Sequence, residues 1–316
     1  MLRVMRTDRD GPAPPRVIPA AAEHLERLAA TLDVRAVYVD LDGTLFGPGG
    51  SLFSHPDGPT PEPAAAVAAL AEAGIDLIPV SGRTLEQTRE VARILGAPAF
   101  VAELGGLLVE REGSAETIVR LTGAYEGPGT PVEAIRRSGA AGLLLEAFAG
   151  RLEPHAPWAH LPREASVLLR GSVDVAAARA QLARAGFGWL DVLDNGIIPR
   201  GVERFPSLSL APGEAVHAYH LLPRGLGKGA AVAADRSRRG VGRNACLAVG
   251  DAPSDVEVAG DVAAVFLVAN GAPAVAGLAL PANVYLLARS HGLGFADAVL
   301  PFAHRRASRR LGGALG

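Results

Sequence analysis

The stretch VYVDLDGTLF, residues 37–46, carries a wholly apolar strand straight into two aspartates one residue apart. Crowded carboxylates repel each other and lose hydration at the end of a buried strand, so Asp40 and Asp42 need something that offsets both costs. Upstream, AAAEHLERLAATLD (20–33) has apolar residues at helical spacing and predicts one leading helix. Residues 1–19 are polar and proline-rich and read as a mobile lead-in. Downstream, FGPGGSLFSHPDGP (46–59) is a Gly/Pro loop. Thr60 and Pro61 then predict the N-cap and first position of a helix that Gly74 ends.

A second apolar strand, IDLIPV (75–80), runs into SGRT. The next helix opens at Thr84, where Gln87 completes a capping box, and stops at Gly96. A third strand, AFVAEL (99–104), closes on Gly105 and Gly106. Apolar strands alternating with amphipathic helices predict a parallel sheet covered on both faces. From about 108 to 220 the pattern changes to mixed strands, ETIVRL, SVLLRG and WLDVLDNG, around the helix VDVAAARAQLARAG. This reads as an α+β insert with one exposed sheet face. The alternation resumes with a helix after Lys228, strand ACLAVG (245–250), a short helix from Ser254 and strand AVFLVA (264–269). The fold class is therefore α/β: a doubly wound, Rossmann-like parallel core over 20–107 and 221–316, split by an insert over 108–220. The last stretch, HRRASRRLGGALG, reads as a frayed basic tail.

Of the 316 residues, 49% are apolar, enough to bury a substantial core. The formal net charge of −2 gives no electrostatic basis for binding nucleic acid or an anionic membrane. No uncharged apolar run reaches the ~18 residues of a bilayer span. The N-terminus also lacks the apolar segment of a secretory signal. A cytoplasmic protein without nucleic-acid or membrane partners is expected. The single cysteine, Cys246, excludes an intramolecular disulfide and reads as a small buried side chain.

Polar clusters sit where apolar strands end: Asp40 with Asp42, Ser81, and Asp251 with Asp255. Lys228 opens the helix that precedes the last of these. Open parallel sheets bind ligands beyond the carboxyl ends of their strands. Carboxylates crowded at that edge make sense when a divalent cation offsets their repulsion, and Mg²⁺ prefers hard oxygen ligands. A carboxylate held against a phosphoryl group can attack phosphorus and form an aspartyl-phosphate. A second carboxyl can protonate the departing oxygen and later take a proton from water. Ser81 and Lys228 would neutralise and orient the phosphoryl oxygens.

DLDGTL (40–45), VSGRT (80–84), Lys228 and GDAPSD (250–255) resemble, in order, motifs one to four of the haloacid dehalogenase superfamily. The resemblance implies Asp40 as nucleophile and Asp42 as acid/base. It implies Mg²⁺ held by Asp40, the backbone carbonyl of Asp42, and Asp251. Phosphate would rest on Ser81, Gly82 and Lys228, with Arg83, Ser254 and Asp255 in support. SGRT, then AELGG (102–106), then an insert before Lys228 is similar to the type IIB branch, which includes sucrose-phosphatase-like, mannosylphosphoglycerate-phosphatase-like, Cof-like and phosphomannomutase-like proteins. In that branch an open α/β cap closes over the site and selects the leaving group. This chain departs from the pattern at Ser254 and Leu104, where related chains commonly carry Asn. Ser254 with Glu257 also satisfies a capping box.

An EF-hand loop is excluded because Leu45 stands where that loop needs Gly. A P-loop in GLGKGAA fails at Leu222 and Gly229. Asp255 reads as a partner of Lys228 or a water-mediated metal ligand. Arg83 either touches phosphate or pairs at the helix start. Arg163, Arg170 and Arg200 are cationic residues near cap strand ends. His155 and His160 lack the partners of a zinc site. The expected activity is Mg²⁺-dependent hydrolysis of a small phosphorylated metabolite: a phosphosugar, a phosphoglycerate derivative or phosphoglycolate. The alternatives are a phosphosugar mutase and a non-catalytic binding protein.

Overall fold

A computed structural model of the chain describes residues 22–156, 158–198 and 205–313. The lead-in read over 1–19 and Arg200 lie outside these residues. The chain begins α1 (Ala22–Thr31), β1 (Ala36–Val39), α2 (Glu62–Ala73), β2 (Asp76–Pro79), α3 (Leu85–Leu95) and β3 (Ala99–Ala102). A hairpin of β4 (Leu107–Glu112) and β5 (Ala115–Arg120) leads to α4 (Pro131–Ser138), α5 (Ala140–Ala147) and β6 (Leu152–Pro154). There follow β7 (Val167–Gly171), α6 (Val175–Arg184), β8 (Leu190–Ile198) and β9 (Val216–Pro223). The chain returns through α7 (Lys228–Arg239), β10 (Cys246–Gly250), α8 (Pro253–Val256), β11 (Ala264–Leu267), β12 (Val284–Leu286) and α9 (His291–Gly313).

The central sheet has the order β12-β11-β10-β1-β2, and its paired strands are parallel. The chain leaves β1 for β2 on one side and later fills the other side with β10. Strand order therefore reverses at β1, which places the ligand crevice beyond its carboxyl end. All four β1 residues are buried. Val37 and Val39 pack with Leu70 of α2 and Phe295 of α9, whereas Ala36 and Tyr38 pack with Ala231 and Val232 of α7. That is the period-two alternation of a strand covered on both faces.

Beyond β2 the sheet continues only through a parallel bridge between Val80 and Val101. β3 then pairs antiparallel with β4, and β4 with β5. The hairpin lies within the segment read as an insert, yet its register belongs to β3. The third strand ends at Ala102 instead of Leu104, because Glu103 and Leu104 both take positive φ, 53° and 55°. A third sheet, β6-β7-β9-β8, is antiparallel and forms the cap. Ile135, Leu144 and Leu182 of α4, α5 and α6 cover one face through Leu190, Val192, Tyr219 and Leu221. The face read as exposed meets the core instead: Leu193 and Leu222 pack there with Leu104, Ala165 and Leu226.

Two terminal expectations are corrected. α2 has Pro61 as its N-cap, one residue later than read, and Thr60 Oγ1 accepts from the Glu62 N–H at 3.3 Å. The basic stretch from His304 continues α9 as far as Gly313. Three of its four arginines are held: Arg306 pairs with Asp33 at 2.5 Å, and Arg309 and Arg310 donate to the Ala30 and Glu72 carbonyls near the ends of α1 and α2. Cations favour such helix C-termini. No described helix is long and apolar enough to cross a membrane.

Tyr38 donates to buried Asp235 at 2.6 Å, tying β1 to α7. Replacing Tyr38 with Phe keeps the ring and removes that donor. The variant should lose about 1–3 kcal/mol in urea unfolding, the cost of a buried polar group left short of a partner.

Candidate active site

Asp40 follows β1 directly, with only 6% of its surface exposed. Its N–H donates to the Val249 carbonyl at 2.9 Å, which locks it beside the end of β10. Lys228, the first residue of α7 and 1% exposed, reaches the same point. Its Nζ donates to Asp40 Oδ1 at 2.6 Å and to Asp255 Oδ1 at 2.7 Å. Asp255 Oδ2 accepts the N–H groups of Asp251 and Ala252, each at 3.0 Å. Asp255 thus closes the first turn of α8, where a Ser254–Glu257 box was expected. Ser254 Oγ instead donates to Asn195 of the cap at 3.2 Å.

Asp40, Asp251 and Asp255 each offer a carboxylate oxygen within 4.8 Å of the others. Burial, offset in part by Lys228, pushes the Asp40 carboxyl up to about 7. Burial and then the Asp40 and Asp255 charges lift Asp251 well above the ordinary carboxyl range. Burial works against the Lys228 charge, yet the two carboxylates outweigh it and hold the ammonium above its usual value. One cation among three carboxylates leaves a surplus of negative charge. Both Asp255 oxygens accept hydrogen bonds, whereas among the described residues Asp40 is bonded through Oδ1 alone, by Lys228. Hard oxygens crowded in this way fit a divalent cation.

Asp251 is itself held, by Thr44 Oγ1 at 3.4 Å and by Asn270 Nδ2 at 3.1 Å. Asn270 also donates to the Gly43 carbonyl at 2.9 Å and accepts from the His291 N–H at 2.8 Å. It clips the turn after β1 to the acid after β10. Asn270 was not singled out in the sequence, since an Asn after an apolar strand reads as ordinary turn chemistry.

Asp42 stands apart from this cluster. Its side chain is 56% exposed and takes two bonds from Arg83, Nε at 2.7 Å and a terminal nitrogen at 2.5 Å. Arg83 also lies over the Phe46 ring, 5.3 Å from its centre. Of its two readings, the structure shows the pairing. The 81–83 loop is pinned from β3 and AELGG: Ser81 N–H to Val101 O at 2.9 Å, Leu104 N–H to Ser81 O at 3.0 Å, and Glu103 N–H to Arg83 O at 2.9 Å. The positive φ of Leu104 is a conformation that Asn adopts more readily than Leu. The apolar seam with Leu193 and Leu222 supplies the packing that holds a leucine there.

No family model matches the sequence, and no curated protein matches it significantly. Solved structures do match. The sucrose-phosphatase of Synechocystis, crystallised with sucrose and phosphate, is 15% identical, with a TM-score of 0.55 over 85% of this chain and 97% of that one. A phosphatase of the haloalkanoate (HAD) superfamily from Bacteroides thetaiotaomicron is 15% identical, with a TM-score of 0.54 over 87% and 95%. A haloacid dehalogenase-like hydrolase from B. subtilis is 14% identical, with a TM-score of 0.52 over 86% and 99%. This chain has the haloacid dehalogenase fold.

In this haloacid dehalogenase fold the cap is tied to the core beside the site. Glu103 is buried and accepts the N–H groups of Glu164 and Ala165, the latter at 2.8 Å. Arg163 donates to the Gly82 carbonyl at 3.0 Å. Burial lowers its guanidinium from the usual value while Glu103 opposes that shift. Arg170 lies away from these contacts, paired with Glu153 at 2.7 Å and stacked on Phe205. His155 and His160 join no metal-binding group among the described residues.

The raised carboxyls set a pH dependence. A carboxyl whose folded value lies above its ordinary 3.8 contributes stability that is complete below that value and lost as pH rises through about 7. Asp251 shifts in the same direction. In chelator, the thermal midpoint of Asp251→Asn should therefore gain on that of the wild type as pH rises through this window. Scanning calorimetry at several pH values measures the difference.

Proposed function

We propose that the protein is a Mg²⁺-dependent phosphatase that hydrolyses a small phosphate monoester through an aspartyl-phosphate on Asp40. The observation that carries this reading is the buried Lys228 bridging Asp40 and Asp255 at the carboxyl end of β1, beneath the cap. In the first step an Asp40 carboxylate oxygen attacks phosphorus, and the bond from phosphorus to the ester oxygen breaks. Asp42 gives that oxygen its proton. Water then attacks phosphorus, Asp42 takes a proton from it, and the acyl phosphate opens to orthophosphate and free Asp40.

Lys228 orients the nucleophile and neutralises charge on the transferring oxygens. Ser81 and the Gly82 backbone would hold the phosphoryl oxygens from the loop after β2. A bound Mg²⁺, held by Asp40, the Asp42 carbonyl and Asp251, supplies further neutralisation of the phosphoryl oxygens. Asp42 leaves Arg83 to reach the ester, so the Arg83 pair keeps the acid/base at the rim between turnovers. The cap excludes bulk water while phosphorus is attached to Asp40.

A phosphate-release screen across phosphosugars, phosphoglycerate derivatives and phosphoglycolate tests this. Wild type should turn over several esters, lose activity in chelator and regain it with Mg²⁺. Asp40→Asn should fall by about a thousandfold or more. Equal rates in the two proteins remove Asp40 as nucleophile. An isomerised phosphosugar with little free phosphate would make the protein a mutase.

A further inference from the structure

The pairing of β8 with β9 slips between Asp194 and Ile197, so residues 195 and 196 bulge from the cap sheet. Gly196 supports the bulge with φ 98°, and its N–H closes on Asp194 Oδ1 at 2.8 Å. His217 of β9 meets Asp194 Oδ2 at 2.8 Å. A bulge of this kind re-aims a side chain. Here it turns Asn195 toward the core. Asn195 Oδ1 accepts from Ser254 Oγ, after β10, at 3.2 Å. Its Nδ2 lies 2.5 Å from the point where a Cβ on Gly82, after β2, would stand. Because β1 lies between β2 and β10, a side chain that touches both of those loops spans the carboxyl end of β1, where Asp40 sits.

His220 of β9 reaches the same place. Its Nε2 is 2.9 Å from the same point above Gly82, and its Nδ1 pairs with Ser166 Oγ at 2.9 Å. Burial, reinforced by Arg163, His155 and Lys228, lowers this imidazole well below its ordinary value and leaves it neutral. Among the described residues, neither Asn195 Nδ2 nor His220 Nε2 has a hydrogen-bond partner. Both cations near His220 are engaged: Arg163 donates to Gly82 and faces Glu103, and Lys228 donates to Asp40 and Asp255.

We propose that Asn195 and His220 are specificity-determining residues that contact the leaving group, and that they recognise a hydroxyl carried close to the ester oxygen. This rests on the phosphatase reading above. An amide N–H beside a neutral imidazole nitrogen complements a hydroxyl, which both accepts and donates. A carboxylate at the same point would need a free cation. The geometry therefore favours an uncharged, hydroxyl-bearing leaving group over a carboxylated one.

The test is a selectivity ratio: kcat/KM for the best of a set of hexose monophosphates divided by kcat/KM for p-nitrophenyl phosphate, which carries no such hydroxyl. Asn195→Ala and His220→Ala should each lower this ratio about 10-fold or more. His220→Gln, which can return an amide to the Nε2 position, should recover part of it. If His220→Ala fails to fold, Asn195→Ala, which truncates a half-buried rim side chain, gives the ratio alone. An unchanged ratio overturns the proposal, as does a wild type that prefers phosphoglycolate to every hexose monophosphate. Asp40→Asn is scored separately: activity retained there defeats the nucleophile, whatever the ratio shows.

Discussion

Lys228 is an ammonium sealed from water between two carboxylates that come from different strand ends. Burying such a charge costs several kcal/mol unless its partners are in place. Asp40 is held by the turn out of β1, and Asp255 by the N–H groups that open α8. The bridge therefore requires β1 and β10 to lie side by side and α7 to begin at their carboxyl ends. A chain that paired β1 differently would strand the lysine. The same bridge leaves Asp251 facing Asp40 without a cation of its own, which is the electrostatic basis for a metal at this edge.

The second constraint is the closeness of cap and core at Gly82. Arg163, Asn195 and His220 all converge on this residue, and any side chain there would collide with the last two. Glu103 holds the incoming cap strand by its backbone, while Leu104 accepts an unfavourable φ to seat in the apolar seam. The cap is thus anchored by backbone bonds, by packing and by the Arg163 side chain, while Asn195 Nδ2 and His220 Nε2 lie against Gly82.

Much of the core was legible because its signals are local. The apolar run into Asp40, the Thr84–Gln87 capping box and the Gly74 and Gly96 stops each act within a few residues, and each stands where it was read. The terminal stretch failed as a tail because its charges are neutralised by groups far away in sequence, Asp33 and the carbonyls of Ala30 and Glu72. Residues 107–120 alternate like a cap strand, but pairing partner is a tertiary property, and theirs is β3. Asn270, Asn195 and His220 carried no motif, since each matters only through residues brought to it by folding.

Sequence by itself determined which strands end in acids and in what order the acids, the hydroxyl and the lysine follow one another. Backbone preference and apolar periodicity act locally, so order and spacing suffice for them. Only the tertiary structure decided which of the four acids share a lysine, that Asp42 rests on Arg83, and that a bulged strand brings Asn195 to Ser254 and Gly82. Those facts depend on distances between segments dozens to hundreds of residues apart, set by sheet order and by packing of the cap.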